Sequence, residues 1–244
     1  MKSELSLHEK GEFMFRSAPH LTTEAGSEYI VTAIRGRSAP GFGHSIKRGL
    51  DVSVSLLAIL FLSPLIVCLV MALWVFQGGP ILIRHRRLGR NGEGFDCLKF
   101  RTMVVDSDRV LAEHLRSDPA ARAEWDATRK LKDDPRVTPL GAALRQSSVD
   151  ELPQFINVLR GEMSLVGPRP IVTDEVKHYG AHISDYYRFR PGLTGAWQIS
   201  GRNDVSYATR VKMDVDYVSR WTLIRDLVII AKTVPAVVKA KGCY

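Results

Sequence analysis

The sequence predicts an α+β protein, mostly helical. Its parts are a membrane-inserted re-entrant helix and a compact cytoplasmic domain with a small β-hairpin and interfacial amphipathic helices. Three observations lead there. Val52–Phe76 runs for 25 residues without a charge. Two short β-leaning runs flank Asn91-Gly92. The last segment, "WTLIRDLVIIAKTVPAVVKAKG", carries an apolar face.

The uncharged run exceeds the about 20 residues a membrane span needs. A buried core helix is the alternative. Ser63-Pro64 sits at its middle, where proline removes a backbone hydrogen bond and crowds the preceding turn. Both flanks are basic: Lys47 and Arg48 before, Arg84, Arg86, Arg87 and Arg90 after. Positive residues stay on the cytoplasmic side, so the flanks favour a helix that dips in, breaks at Ser63-Pro64 and returns. A kinked crossing helix also fits these residues.

Around this run the chain divides into a polar tail (1–45), a helix-break-helix (46–79) and a cytoplasmic domain (80–244). The tail is rich in Ser, Gly, Glu and Pro and predicts disorder. It holds five Lys/Arg and five Glu, so the net charge of +8 lies downstream. That excess suits a polyanionic partner: nucleic acid, an anionic membrane face or a phosphorylated ligand. No basic-aromatic module for nucleic acid is present. The start is polar, so no secretory signal is expected. Three scattered cysteines, Cys68, Cys97 and Cys243, predict reduced thiols rather than a disulfide framework or zinc site.

In the domain, Ile81–His85 and Phe95–Arg101 predict a hairpin around "GRNGEG". Lys99 and Arg101, two apart, share a strand face on this reading. Residues 106–131 predict two helices, the second capped by Asp118 before Pro119. A helix over about 139–146 carries Arg145 near its end. The next starts near Asp150 and stops at Gly161. "MSLVGPRPIV" reads as a rigid loop, with a helix from about 173, and "RPGLTGAWQISGRND" as a glycine-rich loop. The last helix places Leu223, Leu227, Ile230 and Val234 on one face, for a core or a membrane interface.

The chemistry centres on "SSVDELP". Asp150 and Glu151 are adjacent carboxylates, which repel unless something uses them. Capping is one use: Ser148-x-x-Glu151 matches a capping box, and Asp150 is itself an N-cap candidate. Pro153 fits neither cap well. Nearby cations point elsewhere. Arg145 lies five residues before Asp150, Arg169 is locked between prolines in "GPRP", and Lys99 and Arg101 add charge. An acid pair with several cations and a helix start suits phosphoryl transfer with a divalent metal. No P-loop or HExxH motif competes.

Six stretches in order carry a resemblance: "KRGLDVSVSLLAILFLSP", "LKFRTM", "DPRVTPLG", "SSVDELPQFINVLRGEMSLVGPRP", "RPGLTGAWQISGRN" and "RWTLIRDL". Over roughly 46–244 the chain closely resembles the bacterial sugar transferase family, the monotopic polyprenyl-phosphate phosphoglycosyl transferases. The subgroup it resembles transfers galactose phosphate at the start of exopolysaccharide synthesis. The resemblance implies an enzyme on the cytoplasmic face of the inner membrane. It implies transfer of a sugar-1-phosphate from a UDP-sugar to undecaprenyl phosphate, with release of UMP and Mg²⁺ as cofactor. Asp150 matches the family's nucleophile and Glu151 its metal-binding partner. Lys99, Arg101, Arg145, Arg169 and Arg202 form the implied substrate-binding set. Ser63-Pro64 matches the helix-breaking pair, and Asp214 falls where relatives carry an aspartate. Larger relatives have an extra multi-span N-terminal region, so the short polar tail predicts the short form. Arg220 stands where many relatives have Asn. Glucose or an N-acetylated sugar, and a homo-oligomer, stay open, as does a basic membrane-surface adaptor without chemistry. A phosphohydrolase is a further alternative, distinguished by its product.

Overall fold

The computed structural model describes residues 42–128, 130–200 and 206–238. The predicted tail lies outside these residues up to 41, as do Arg202 and Cys243. The chain opens with one long helix, α1 (Phe42–Gln77). A hairpin follows, β1 (Leu82–Leu88) and β2 (Gly94–Phe100), paired antiparallel with Ile83 opposite Lys99. Then come α2 (Ser107–Ser117), α3 (Pro119–Thr128), α4 (Pro139–Gln146) and α5 (Gln154–Arg160). A short strand β3 (Ser164–Val166) precedes two one-turn helices, α6 (Val176–Tyr179) and α7 (Ile183–Tyr186). The strand β4 (Gly192–Thr194) pairs parallel with β3, and α8 (Tyr207–Ser219) and α9 (Leu223–Val238) complete the order.

α1 starts four residues ahead of the expected boundary at 46, and it corrects the expected break. The helix runs through Ser63-Pro64 as one element. The reason is local. Pro64 has no N–H to give to the carbonyl four residues back, that of Leu60. The Ser63 hydroxyl donates to that same carbonyl at 2.8 Å. The serine thus supplies the donor that the proline removes, and the turn survives.

Both ends of α1 dock on the same domain. Near its start, Lys47 Nζ donates to Asp226 Oδ2 at 2.6 Å and to the Val166 carbonyl at 2.9 Å. Arg48 reaches the carbonyls of Val158 and Leu159, and Asp51 accepts from Ser164 and the Leu165 N–H. Near its end, Leu73 packs with Phe100 and Leu144. These anchors are close neighbours, since Asn157, next to Val158, accepts the Leu98 N–H two residues before Phe100. Lys47 and Leu73 lie 26 residues apart, about 39 Å along a straight helix, and Pro64, between them, is the place for a bend that would bring both onto one domain. Between the anchors, Leu56, Leu57, Leu60, Phe61, Leu65, Val67 and Met71 are exposed. That exposure counts against a core helix. By length and composition α1 is a candidate membrane span.

The domain core joins β2 (Phe95, Cys97) to Val158, Met163, Leu165, Phe189, Tyr217 and Ile229. Asn157 is fully buried and fastens β2 to α5, with Nδ2 donating to the Asp96 carbonyl at 2.8 Å. Gly161 ends α5 with φ +82°, as expected of a left-handed stop. Of the expected face of α9, left open between a core and a membrane interface, Leu227 and Val234 are exposed, with Ile224 and Val228, while Asp226 and Ile229 point inward. Asp226 takes the core position because it accepts from Lys47, Tyr217 and Trp221 together.

Candidate active site

The segment after β2 sets the site. Thr138 N–H donates to the Thr102 carbonyl at 3.1 Å. Thr138 also caps α4, accepting from Gly141 N–H at 2.9 Å. Gly141 lies so close to Thr102 that a Cβ there would sit 2.0 Å from its carbonyl oxygen, so glycine is required. This contact holds α4 against the strand exit. Arg145, in the last turn of α4, then donates through Nε to Thr102 Oγ1 at 2.8 Å.

Asp150 and Glu151 follow in a single 3-10 turn, Val149–Glu151, entered through Ser148 at φ +57°. Neither acid caps a helix. Ser148 makes no side-chain cap bond, and the residue preceding α5 is Pro153. Asp150 is 8% exposed, so its carboxylate is withdrawn from water yet free of a capping task. Lys99, from β2, sits between the two acids. Its Nζ lies 2.6 Å from Glu151 Oε1 and 3.7 Å from Asp150 Oδ2.

Burial raises the Asp150 pKa above the ordinary carboxylate range, against the pull of Lys99; Glu151 adds to the rise and Arg145 opposes it. Burial also works against the charge on Lys99, but Glu151 and Asp150 outweigh it and raise its pKa. The arrangement is charge-matched: two acids, with Lys99 and Arg145 beside them. An anion at the acids therefore depends on the cations that flank it.

Arg169 belongs to a second cluster. Its guanidinium lies over the Trp197 ring at 5.1 Å, and that of Arg210 lies over the same ring at 4.9 Å. Asp214, one helical turn beyond Arg210 on α8, is buried at 2% exposure and accepts the Tyr179 hydroxyl at 2.8 Å. Its pKa is pushed up to about 7 by burial, while the Tyr179 bond and the charges of Arg169 and Arg210 hold it down. Lys99 and Arg145 flank the acids, and Arg169 and Arg210 share the Trp197 ring.

Arg101 is a correction. The strand ends at Phe100, so the two-residue repeat that would pair Arg101 with Lys99 stops there. Arg101 is buried, and its Nη2 donates to the carbonyls of Gln77 and Gly78 at 2.6 and 2.9 Å. Through Nη2 it secures the end of α1, while its Nε and Nη1 are buried with no hydrogen-bond partner among the described residues. Thr102, Trp197 and Arg210 were missed by the sequence reading. The last had a signal: Arg210 and Asp214 stand four apart on one helix face.

Among the described residues, no group of three or more His, Cys, Asp or Glu is placed to hold a metal. The donors present are two adjacent carboxylates. Mg²⁺ is commonly held by one or two carboxylates together with substrate phosphates, so the pair fits Mg²⁺ in company with a diphosphate.

A buried, uncapped carboxylate between cations, beside a second acid, is the equipment of an enzyme that works on phosphorylated groups. The sequence profile of the bacterial sugar transferase family matches residues 42–240, and the chain belongs to that family. It is 54% identical over 224 residues to "Exopolysaccharide production protein ExoY" of Sinorhizobium fredii, covering 91% of this chain and 98% of that one. It is 44% identical over 237 residues to "Undecaprenyl-phosphate galactose phosphotransferase" of Salmonella typhimurium, 94% of this chain and 49% of that one. It is 39% identical over 206 residues to "UDP-glucose:undecaprenyl-phosphate glucose-1-phosphate transferase" of Caulobacter vibrioides, 81% of this chain and 72% of that one. The chain is a sugar-transferring enzyme.

Proposed function

We propose that the chain transfers galactose-1-phosphate from UDP-galactose to undecaprenyl phosphate, releasing UMP, as an early membrane step in exopolysaccharide synthesis. The observation that carries this reading is Asp150: buried, free of capping, and flanked by Lys99 and Arg145. In the first half-reaction a carboxylate oxygen of Asp150 attacks the phosphorus that bears the sugar. The bond to the bridging oxygen breaks, and UMP leaves with its electron pair. In the second half-reaction an oxygen of undecaprenyl phosphate attacks the same phosphorus, and the Asp150 carboxylate departs. Covalent catalysis divides one difficult transfer into two. Lys99 and Arg145 favour the anionic form of Asp150 before attack. Bound at the acid pair, Mg²⁺ would supply charge neutralisation on the diphosphate.

Galactose rests on the greater identity to the galactose-named relative, 44% against 39% for the glucose-named one. The membrane placement rests on α1, with its exposed apolar middle and both ends docked on one domain. That geometry favours the re-entrant path on the cytoplasmic face of the inner membrane. The test is exchange of labelled UMP into UDP-galactose by purified protein with Mg²⁺ and no lipid. Exchange supports the covalent route. Transfer that proceeds only with lipid present, without exchange, would favour direct attack by the acceptor.

A further inference from the structure

The start of α1 carries more positive charge than the fold uses. Arg48, Arg90, Arg188 and Arg190 line a small cavity there with His44, and its one lining carboxylate is Asp51. Lys47 also lines it but is committed to Asp226. Asp51 is committed too: Oδ1 accepts the Leu165 N–H at 3.0 Å and Oδ2 the Ser164 hydroxyl at 2.8 Å. The arginines bond mostly to neutral carbonyls. Arg48 donates to Val158 and Leu159, and Arg190 Nε to Gly161 at 2.6 Å. Such bonds satisfy donors without cancelling charge. Arg188 faces Asp185 at 3.8 Å on the exposed rim. Arg90 Nε is buried with no hydrogen-bond partner among the described residues. The crowding is felt at Arg190, whose pKa is lowered by burial and then by Arg90 and Arg48, with Asp51 opposing.

Guanidinium groups that outnumber the carboxylates beside them, among the described residues, repel one another, and their planar forks match the oxygens of a phosphate. The surroundings say where that phosphate comes from. Gly43, at the start of α1, packs on Trp221, just before α9; a Cβ there would be 3.3 Å from the indole ring. The two helix starts that meet here expose Phe42 and Ile46 on α1, and Ile224, Leu227 and Val228 on α9. Apolar side chains beside a basic cavity are the pattern of a surface seated at headgroup level. The acid pair is elsewhere: the carbonyls of Val158 and Leu159 end α5, whereas Asp150 precedes its start.

We propose that the arginines at the mouth of this cavity, whose interior of about 20 Å³ has room for a water but not a phosphate, bind the phosphate of an anionic phospholipid headgroup and so hold the entrance of α1 at the membrane surface. The site uses the membrane placement proposed above and is independent of the transfer chemistry. Arg90→Gln/Arg188→Gln tests it, because neither side chain secures a buried contact in the fold. Full-length protein is placed in phosphatidylcholine nanodiscs holding a minority of phosphatidylglycerol. It is then extracted gently, and the retained lipid is counted by mass spectrometry. The native chain should retain phosphatidylglycerol above its share in the disc. The double variant should lose that preference roughly tenfold, the scale of a lost charge-assisted contact, while its lipid-free UMP exchange stays native. Equal retention by the two chains overturns the proposal. Displacement of the lipid by low inorganic phosphate, with no enrichment in its absence, overturns it in favour of a soluble anion. Loss of UMP exchange in the folded variant assigns the cavity to the donor site and also overturns it. A chain that stays outside the discs brings down the membrane placement and this site together, whereas an embedded chain without enrichment brings down the site alone.

Discussion

Asp150 and Asp214 are both buried carboxylates with raised pKa values, and the chain treats them oppositely. Asp150 sits in a one-turn 3-10 segment, takes no cap role and has Lys99 3.7 Å away. Asp214 sits inside α8 and accepts a hydroxyl from Tyr179, itself buried. A carboxylate on a short turn beside two cations can meet a substrate. One enclosed within a helix face and bonded to a tyrosine can only act through its neighbours. Burial alone therefore marks neither residue as reactive; the partners decide. Asp150 is the candidate nucleophile, and Asp214 is tied to Tyr179 and feels the charges of Arg169 and Arg210.

The largest expected effect separates the two directly. Asp150→Asn should abolish lipid-free UMP exchange, a loss on the order of a thousandfold or more, because an amide is a poor nucleophile. Its melting temperature should stay near native, since the carboxylate caps nothing. Exchange at a near-native rate in this variant would hand the nucleophile's role elsewhere.

Lys99→Met comes next. Lys99 lowers the Asp150 pKa against the effect of burial. Removing it should raise that pKa further, so the acid limb of the rate profile moves to higher pH. Turnover at neutral pH should fall roughly ten- to a hundredfold, the scale of a charge-assisted bond. A uniform loss at every pH, with the limb unmoved, would make Lys99 a substrate contact and no tuner of Asp150.

Arg169→Ala tests the second cluster. Arg169 stacks on Trp197 beside Arg210, whereas Lys99 is the cation 3.7 Å from Asp150, so removing Arg169 should weaken binding of the donor phosphates and leave the acid limb where it is. The expected loss in turnover is roughly tenfold or somewhat more. Collapse of the melting temperature along with activity would show that the stack supports the core instead.

Much of this contrast was legible in the sequence, and the limits are instructive. Proline and glycine punctuation located α3, α4 and the end of α5, because caps and left-handed stops are local events. The hairpin around Asn91-Gly92 was local too. The acid pair could be picked out because Pro153 fits poorly with either cap. The misreadings arose where a distant segment decided. Arg101 turns away from Lys99 because the strand stops and the end of α1 offers two carbonyls. For α9, left open between a core and a membrane interface, the inward position of Asp226 depends on Lys47, far off in sequence. Ser63 was read only as part of a break, whereas its hydroxyl repairs the helix at Leu60. The pairing of Arg169 with Arg210, which the sequence did not show, depends on Trp197, whose neighbours in space are not its neighbours in sequence.

The smallest effect sharpens the account of Asp214. Its pKa in the fold is about 7, raised by burial above that of an ordinary carboxylate. The sign follows from proton binding. At about pH 4 and below, native and unfolded chains both hold the proton, so the site is at its most favourable. As pH rises from about 4 to about 7, the unfolded chain releases its proton while the native chain keeps it, and stability falls. Above about 7 the native carboxyl ionises too, and the loss levels off. Asp214→Asn retains an acceptor for Tyr179 but does not titrate. Its melting temperature should lie at or slightly below native near pH 5. The gap should then close or reverse near pH 8, a relative change of at least roughly 2–4 °C for a chain of this size. Thermal melts of the two proteins across that range, at fixed salt, measure it. A gap that does not change with pH would mean that Asp214 is already ionised throughout, held by Arg169 and Arg210 as an ion pair. The arginine stack would then be anchored by charge, and Asp214→Asn should depress turnover at every pH to about the same degree as Arg169→Ala.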